Sequence, residues 1–183
     1  MNTAVTLPGR RVCLRAWHDE DRQAFAIMNA DERVMEFFRA PLSRTESDAL
    51  VDRIQMHFAK HGFGLWAIEV ADVAPFIGFA GLAIASFKSP FTPCVEVGWR
   101  LAYEYWGHGY ATEAANLAIR YGFDKLELPE IVSFTSAANH RSRAVMERLG
   151  MRRDPADDFD YSGLPPGHPL ARHVLYRLRR HLP

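Results

Sequence analysis

VEVGWRLAYEYWGHGYATEAANLAIRYGF, from Val95 to Phe123, is the most informative stretch of the chain. Val95, Val97, Trp99 and Leu101 alternate with Glu96, Gly98 and Arg100, the two-residue period of a strand. A polar and aromatic turn, 102–106, follows. Beyond Gly107-His108-Gly109, an alanine-rich run puts Ala111, Ala114 or Ala115, Ala118, Ile119, Gly122 and Phe123 on one helical stripe. The order is strand, glycine turn, helix. Glycines in such a turn remove Cβ atoms where the backbone must approach something closely. The first helical turn leaves N–H groups without partners, and with the helix dipole these suit an anion such as a pyrophosphate. Ordinary turn chemistry is the competing reading. Two familiar phosphate motifs are excluded. Position 112 is Thr, so no Gly-x-Gly-x-x-Gly can be drawn, and the Gly-Lys-Ser/Thr of a P-loop is absent.

Outward from this segment, the chain alternates strands with helices. Residues 1–9 read as a short flexible lead, and 11–16 as a half-buried strand. Acids at 19–21 mark a helix start, with Phe25 and Ile27 or Met28 on its apolar side. Asp31 can cap a short helix. Phe37 and Phe38 sit in a loop, as core fill or as the lining of a ligand cleft. Ser43-Arg44-Thr45-Glu46 is a capping box, and Gly62 and Gly64 end the helix it opens. Residues 63–70 and 76–87 form an antiparallel hairpin, whose interior glycines, Gly78 and Gly81, predict a bulge or close contact with another element. After the long helix comes a short strand over 131–135. Asn139 then caps a helix over 141–149 that stops at Gly150. Residues 152–170 read as an irregular excursion, and 171–178 as a terminal strand. Helix-linked strands in the second half argue a partly parallel sheet covered on both faces.

Composition narrows the function. A chain of 183 residues with 48% apolar content fits one soluble domain. Lys plus Arg equals Asp plus Glu at 22 each, so the global basic footprint of a nucleic-acid binder is missing. No run of 18 apolar residues predicts a membrane span, and no charged segment followed by an apolar core predicts a signal peptide. Cys13 and Cys94 make neither a disulfide framework nor a metal cluster, and a reducing cytoplasm fits them best. The eight histidines show no metal-ligand spacing.

The segment from Glu96 to Ala114 resembles the GCN5-related N-acetyltransferase (GNAT) superfamily, and within it the ribosomal-protein N-terminal acetyltransferases of the RimJ/RimL-like branch. The family's pyrophosphate loop is Gln/Arg-x-x-Gly-x-Gly/Ala. Gly109 and Ala111 match its small positions, Gly107 matches the extra glycine of this branch, and Trp106 stands where Gln or Arg is usual. A second block agrees in order and separation: Asn139, Ser142, Met146, Gly150 and Met151 resemble the asparagine-led helix after the fifth strand. The resemblance spans roughly residues 10–179 of a single domain. It implies an α/β (α+β) GNAT fold with a mixed sheet of about six to seven strands flanked by helices and splayed between strands 4 and 5.

The resemblance also implies an acetyl-coenzyme A-dependent N-acetyltransferase. Backbone groups from Gly107, His108, Gly109, Tyr110, Ala111 and Thr112 would hold the pyrophosphate, with Trp106 beside them. The edge of Val97, Gly98, Trp99, Arg100 and Leu101 would pair with pantetheine, and Asn139 and Ser142 would face the cofactor. The acceptor site would involve Phe37, Phe38, Trp66 and Phe87, with Asp157, Asp158 and Asp160 either attracting an amine or forming a solvated loop. Transfer needs a base for the ammonium and an acid for the departing thiolate. Glu96 is the candidate base, unless it is exposed or paired with Arg100. The tyrosine acid common in the family falls on Met146, which leaves Ser142, a water or unaided departure; Ser142 could instead serve the Asn139 cap. His18, His108 and His140 are further possible bases. Three readings follow: acetylation of a protein N-terminal amine, acetylation of a small amine (amino acid, polyamine or aminoglycoside), or a non-catalytic acyl-CoA-binding module. A monomer or homodimer is expected, with no metal.

Overall fold

The computed structural model describes residues 5–165 and 167–180. The chain opens with strands β1 (Leu7–Pro8) and β2 (Val12–Arg15) and helices α1 (Asp21–Ala30), α2 (Glu32–Met35) and α3 (Arg44–His61). The hairpin β3 (Leu65–Val70) and β4 (Ala74–Ile84) leads to β5 (Val95–Leu101), α4 (Tyr110–Asp124), β6 (Glu130–Ser136) and α5 (His140–Arg148). Strands β7 (Arg152–Arg153) and β8 (Phe159–Asp160) precede β9 (Arg172–Arg179).

One sheet runs in the order β1-β2-β3-β4-β5-β6-β9-β7, with β8 also on β9. Of its nine strands among the described residues, β1, β7 and β8 have two residues each, which leaves six longer ones. The sheet is mostly antiparallel. Its parallel pair is β5 and β6, joined through the single bridge Glu96↔Val132. On its other edge β5 pairs with β4 along its whole length, from Val95↔Ile84 to Leu101↔Gly78. So β5 and β6 part beyond Glu96. They are the fourth and fifth strands expected from the sequence, renumbered because Leu7–Pro8 pairs with β2.

Side chains alternate faces along a strand. Leu82 of β4 faces α4, because a Cβ at Gly122 would meet its Cδ1 and that of Ile131. Phe79, of opposite parity, faces α1, its ring 6.0 Å from that of Phe25. Helices therefore cover both faces, as expected. In α4 the buried stripe is Ala114, Ala115, Ala118, Ile119 and Gly122. Alanine lets the helix lie close to the sheet while the aromatic cluster of Trp17, Phe25, Phe76 and Phe79 fills the other side.

Local signals hold in detail. Ser43 and Glu46 form the reciprocal capping box, and Gly62 closes α3 at φ 77°. Asp31 caps α2 through the Arg33 N–H, and Asn139 caps α5 through the Ser142 N–H. At Gly78 a Cβ would stand 2.2 Å from the Arg100 carbonyl oxygen, so the close-contact reading of that glycine is right.

Some expectations need correction. The lead 1–9 is not all loose, since Leu7 and Pro8 join the sheet; residues 1–4 lie outside the described residues, as do 181–183. Asp21 is a first-turn acid of α1, as expected, but it does more than face the helix dipole. It is buried and clasps Arg15 through two 2.8 Å bonds. Ile27 points to solvent, and Phe25 and Met28 carry the apolar side of α1. The excursion after 152 is partly ordered, for β7 and β8 both pair with β9.

Candidate active site

The turn 107–109 reverses the chain with two left-handed glycines, Gly107 at φ 79° and Gly109 at φ 81°. Gly109 is the N-cap of α4 and has no side chain to offer the helix. The Glu113 N–H returns to the Gly109 carbonyl, so the free donors are those of Tyr110, Ala111 and Thr112. A Cβ at Gly107 would meet nothing within 4 Å. The turn thus has the donors, the dipole and the room for a pyrophosphate. Glu113, an acid in the first turn, would oppose an anion if its charge were free. It is not: the carboxylate accepts from Arg11 N and Nε at 2.7 and 2.8 Å. Partial burial pushes its pKa up, but these bonds hold it below the usual carboxylate value. Arg11 also donates to the His108 carbonyl and lies over the Tyr110 ring. It braces the turn from outside, and no local sequence pattern pointed to it.

The strand before the turn divides its backbone by parity. The Cys94 carbonyl and the Ala102 N–H both bond to the β4 side, so the even residues of β5 face β4. Odd residues face the gap. Ser133 Oγ donates to the Val97 carbonyl at 2.9 Å, and Trp106 Nε1 donates to the Leu101 carbonyl at 2.8 Å. The N–H and C=O of Trp99 and the N–H of Leu101 project into the space left by β6. An extended ligand can pair there as a strand would. Gly98 and Arg100 were expected to share in this edge. Their backbone groups belong to the β4 ladder, so that part of the expectation is corrected.

Their side-chain face matters more. Glu96, Gly98 and Arg100 point to the α1 side. Glu96 is hemmed in by protein yet keeps contact with solvent, and burial pushes its pKa up to about 7. It has no ion-pair partner among the described residues. The alternative pairing with Arg100 does not occur. Arg100 Nη1 instead donates to Asn29 Oδ1 at 2.6 Å, and its guanidinium lies 4.1 Å from the Phe38 centroid and 5.4 Å from that of Phe79. Burial lowers its pKa to about 10. Asn29 is fully buried and fixed in turn by a 2.8 Å bond from Nδ2 to Ser47 Oγ. Between the two charged groups, a Cβ on Gly98 would meet nothing within 4 Å. The result is a slot floored by glycine, with an acid at one end and a cation at the other.

Across the gap stands the start of α5. Asn139 Nδ2 donates to Thr135 Oγ1 at 3.0 Å and to Ser142 Oγ at 3.1 Å. Ser142 Oγ therefore acts as acceptor within the cap, and its own proton has no acceptor among the described residues. Met146 is buried and belongs to the core. Trp106 is held by its bond to Leu101 and covered by Arg141, whose guanidinium lies 4.7 Å from the ring centroid and pairs with Glu36. A cation is thus present beside 106, although the sequence has no Gln or Arg there.

The acceptor-side candidates divide. Phe38 lies on Arg100 and so borders the slot, whereas Phe37 lies near Arg141, the residue that covers Trp106. Phe87 is packed with Phe91, Phe134, Phe159 and Tyr161 and forms an aromatic wall; Phe134 shares the Glu96 face of the sheet. Trp66 is a correction: it is fully buried, between Phe58 and Tyr121, and lines nothing. Asp157 and Asp158 are engaged by Arg177 and Arg153, and Asp160 by Arg172, so they are not a free amine trap. His18, His108 and His140 are exposed. His173, which the sequence did not single out, is buried beside Phe159 and Tyr161 with Nδ1 on the Ala171 carbonyl. Among the described residues no group of three or more His, Cys, Asp or Glu could hold a metal ion. Among the described residues no helix is long and apolar enough to cross a membrane.

Comparison with known proteins agrees with this geometry. The acetyltransferase (GNAT) domain family matches residues 11–152. The FsC-acetyl coenzyme A-N(2)-transacetylase of Aspergillus fumigatus is 32% identical over 169 residues, covering 88% of this chain and 71% of that protein. Among solved structures, an acetyltransferase from Agrobacterium tumefaciens superposes with a TM-score of 0.77 at 28% identity, over 96% of this chain and 95% of that one. The ribosomal-protein-S5-alanine acetyltransferase from Vibrio fischeri shares the fold, with a TM-score of 0.71 at 17% identity and 96% of each chain covered. With a glycine turn that opens α4, a splayed pair β5 and β6 and a family match over most of its length, the chain belongs to the GNAT acetyltransferases.

Proposed function

We propose that this acetyltransferase moves the acetyl group of acetyl-coenzyme A directly onto a primary amine held in the Glu96–Arg100 slot. The observation that carries the reading is Glu96 itself. It is a poorly solvated carboxylate, unpaired among the described residues, with a pKa near 7, at the point where β5 leaves β6. A base poised there suits an ammonium substrate at neutral pH.

The bound thioester supplies an activated acetyl group, and the chain's own groups do the rest. Tyr110, Ala111 and Thr112 N–H groups hold the pyrophosphate. Trp99 and Leu101 pair with the pantetheine arm, with Asn139 and Ser142 on the opposite side of the gap. Glu96 takes a proton from the acceptor ammonium, directly or through a water, and so frees the amine lone pair for attack on the carbonyl carbon. A β5 N–H facing the gap steadies the negative charge that grows on the carbonyl oxygen. Ser142 Oγ–H, which has no acceptor among the described residues, is the candidate donor for the departing sulfur. Cys94 shares the Glu96 face but is no covalent relay: burial and the neighbouring Glu96 push its thiol up to about 11, so it stays protonated. Direct transfer therefore fits better than an acyl-enzyme.

A protein N-terminal amine is the acceptor suggested by the likeness of 96–114 to the ribosomal-protein branch. A small amine is the second reading, favoured by the slot between Glu96 and Arg100, which closes on a charged group at each end. We read the compartment as the cytoplasm from the two free cysteines. Coenzyme A thiol release, followed over a panel of peptides, amino acids, polyamines and aminoglycosides, tests the proposal. Release with at least one amine class is expected. Cofactor binding without release from any would leave only an acyl-CoA-binding module.

A further inference from the structure

Arg100 is an unusual residue to find in this position. Its guanidinium has one neutral acceptor, Asn29 Oδ1, and no carboxylate within 4 Å among the described residues. Its Nε–H is buried without a partner. Isolated buried cations are unfavourable unless something supplies the missing charge, and unmade bonds of buried donors cost stability. Yet the surroundings hold this one firmly. Phe38 and Phe79 lie against it, while Asn29, itself tied to Ser47, grips one corner. A guanidinium held in this way still offers a planar edge, the geometry that matches a carboxylate. Nη2 makes no hydrogen bond among the described residues and, unlike Nε, is not walled off from solvent. Phe38, whose ring lies against the guanidinium, is 42% exposed on a loop after α2.

The slot gives this cation a direction. Arg100 and Glu96 share one face of β5, and Gly98 between them leaves open space. We infer that the acceptor is an amine that also carries a carboxylate, with its ammonium at Glu96 and its carboxylate on the edge of Arg100. This rests on the acetyl-transfer reading above and narrows it. The carboxylate can come from a free amino acid or from an acidic residue at the start of a peptide. Polyamines and aminoglycosides, which bring only positive charge, would meet a second cation instead.

The test uses the full chain saturated with coenzyme A. Calorimetric titrations compare β-alanine, ornithine and an aspartate-led dipeptide with their neutral amides, and with putrescine. Wild type is expected to bind at least one acid tenfold or more tighter than its amide. Which acid that is separates the free amino acid from the peptide. Arg100→Gln should erase the preference and leave coenzyme A affinity unchanged, and Arg100→Lys should keep part of it. Equal binding of acid and amide, no binding of either, or an equal loss of both in Arg100→Gln would overturn the proposal. So would a tenfold loss of coenzyme A affinity in Arg100→Gln, which would make the cofactor the anion. An acid that binds through Arg100 without thiol release would sustain this subsite and count against acetyl transfer.

Discussion

Glu96 illustrates how one residue links stability to chemistry. Its ordinary value is 4.5 and burial raises it to about 7 in the folded protein. The native state therefore holds this proton more tightly than the unfolded chain. Between about pH 4.5 and 7 the folded form carries the extra proton, so this contribution to stability falls as pH rises. At pH 8 the ionised carboxylate costs the fold up to about 3 kcal/mol, because every tenfold gain in proton affinity on folding is worth about 1.4 kcal/mol. Glu96→Gln should accordingly be more stable than wild type at pH 8 and no more stable at pH 4. Urea unfolding at the two pH values checks this, and a variant that is less stable at pH 8 would contradict the burial argument. Glu96 was identifiable in the sequence because its strand period set it apart from Val95 and Val97. Its environment was not, since the absence of a partner depends on Arg100 turning to Asn29, 71 positions away in the chain.

At the scale of elements, the local signals were the legible ones. Caps at Asp31, Ser43 and Asn139 and the glycine turn before α4 rest on chemistry between residues a few positions apart. Strand and helix periods therefore located nearly every element. What failed were features set by more distant partners: Leu7–Pro8 on β2 and Trp66 in the core. The turn before α4 carries two predictions. Gly109→Glu puts a side chain at φ 81°, crowds Arg11 Nη2 at 3.3 Å and adds an anion to the free N–H groups. Coenzyme A binding should be abolished while the circular dichroism of the fold persists; unchanged affinity by calorimetry would sink the pyrophosphate assignment. Arg11→Ala removes the brace and the ion pair, leaving Glu113 with backbone bonds alone and its charge less well neutralised beside the same donors. It should weaken coenzyme A by roughly tenfold, about 1.4 kcal/mol, with a steeper salt dependence than wild type. An affinity equal to wild type at low salt would show that Glu113 does not need its partner.

For the molecule as a whole, the sheet divides the work. One face is packed by the alanine stripe of α4, and the other carries the slot under α1. The parting of β5 and β6 connects the two, and no sequence period could reveal it, because it is defined by pairs that do not form. Trp66 belongs to the packed side. Trp66→Ala should cost about 3–5 kcal/mol of stability, as large aromatic truncations in cores do, and leave the acceptor KM of the remaining folded protein unchanged. A shift in KM without loss of stability would return Trp66 to the acceptor site. Catalysis as proposed depends on Glu96 acting as the base for an amine at the mouth of that parting. The most direct measurement is the pH dependence of kcat/KM for thiol release, from pH 5 to 9, in wild type and Glu96→Gln. Wild type should rise with unit slope and level off near pH 7, the value at which Glu96 gives up its proton. Glu96→Gln should be at least about a hundredfold slower, as loss of a general base commonly is, and should lack that inflection. Matching profiles in the two proteins would contradict the account.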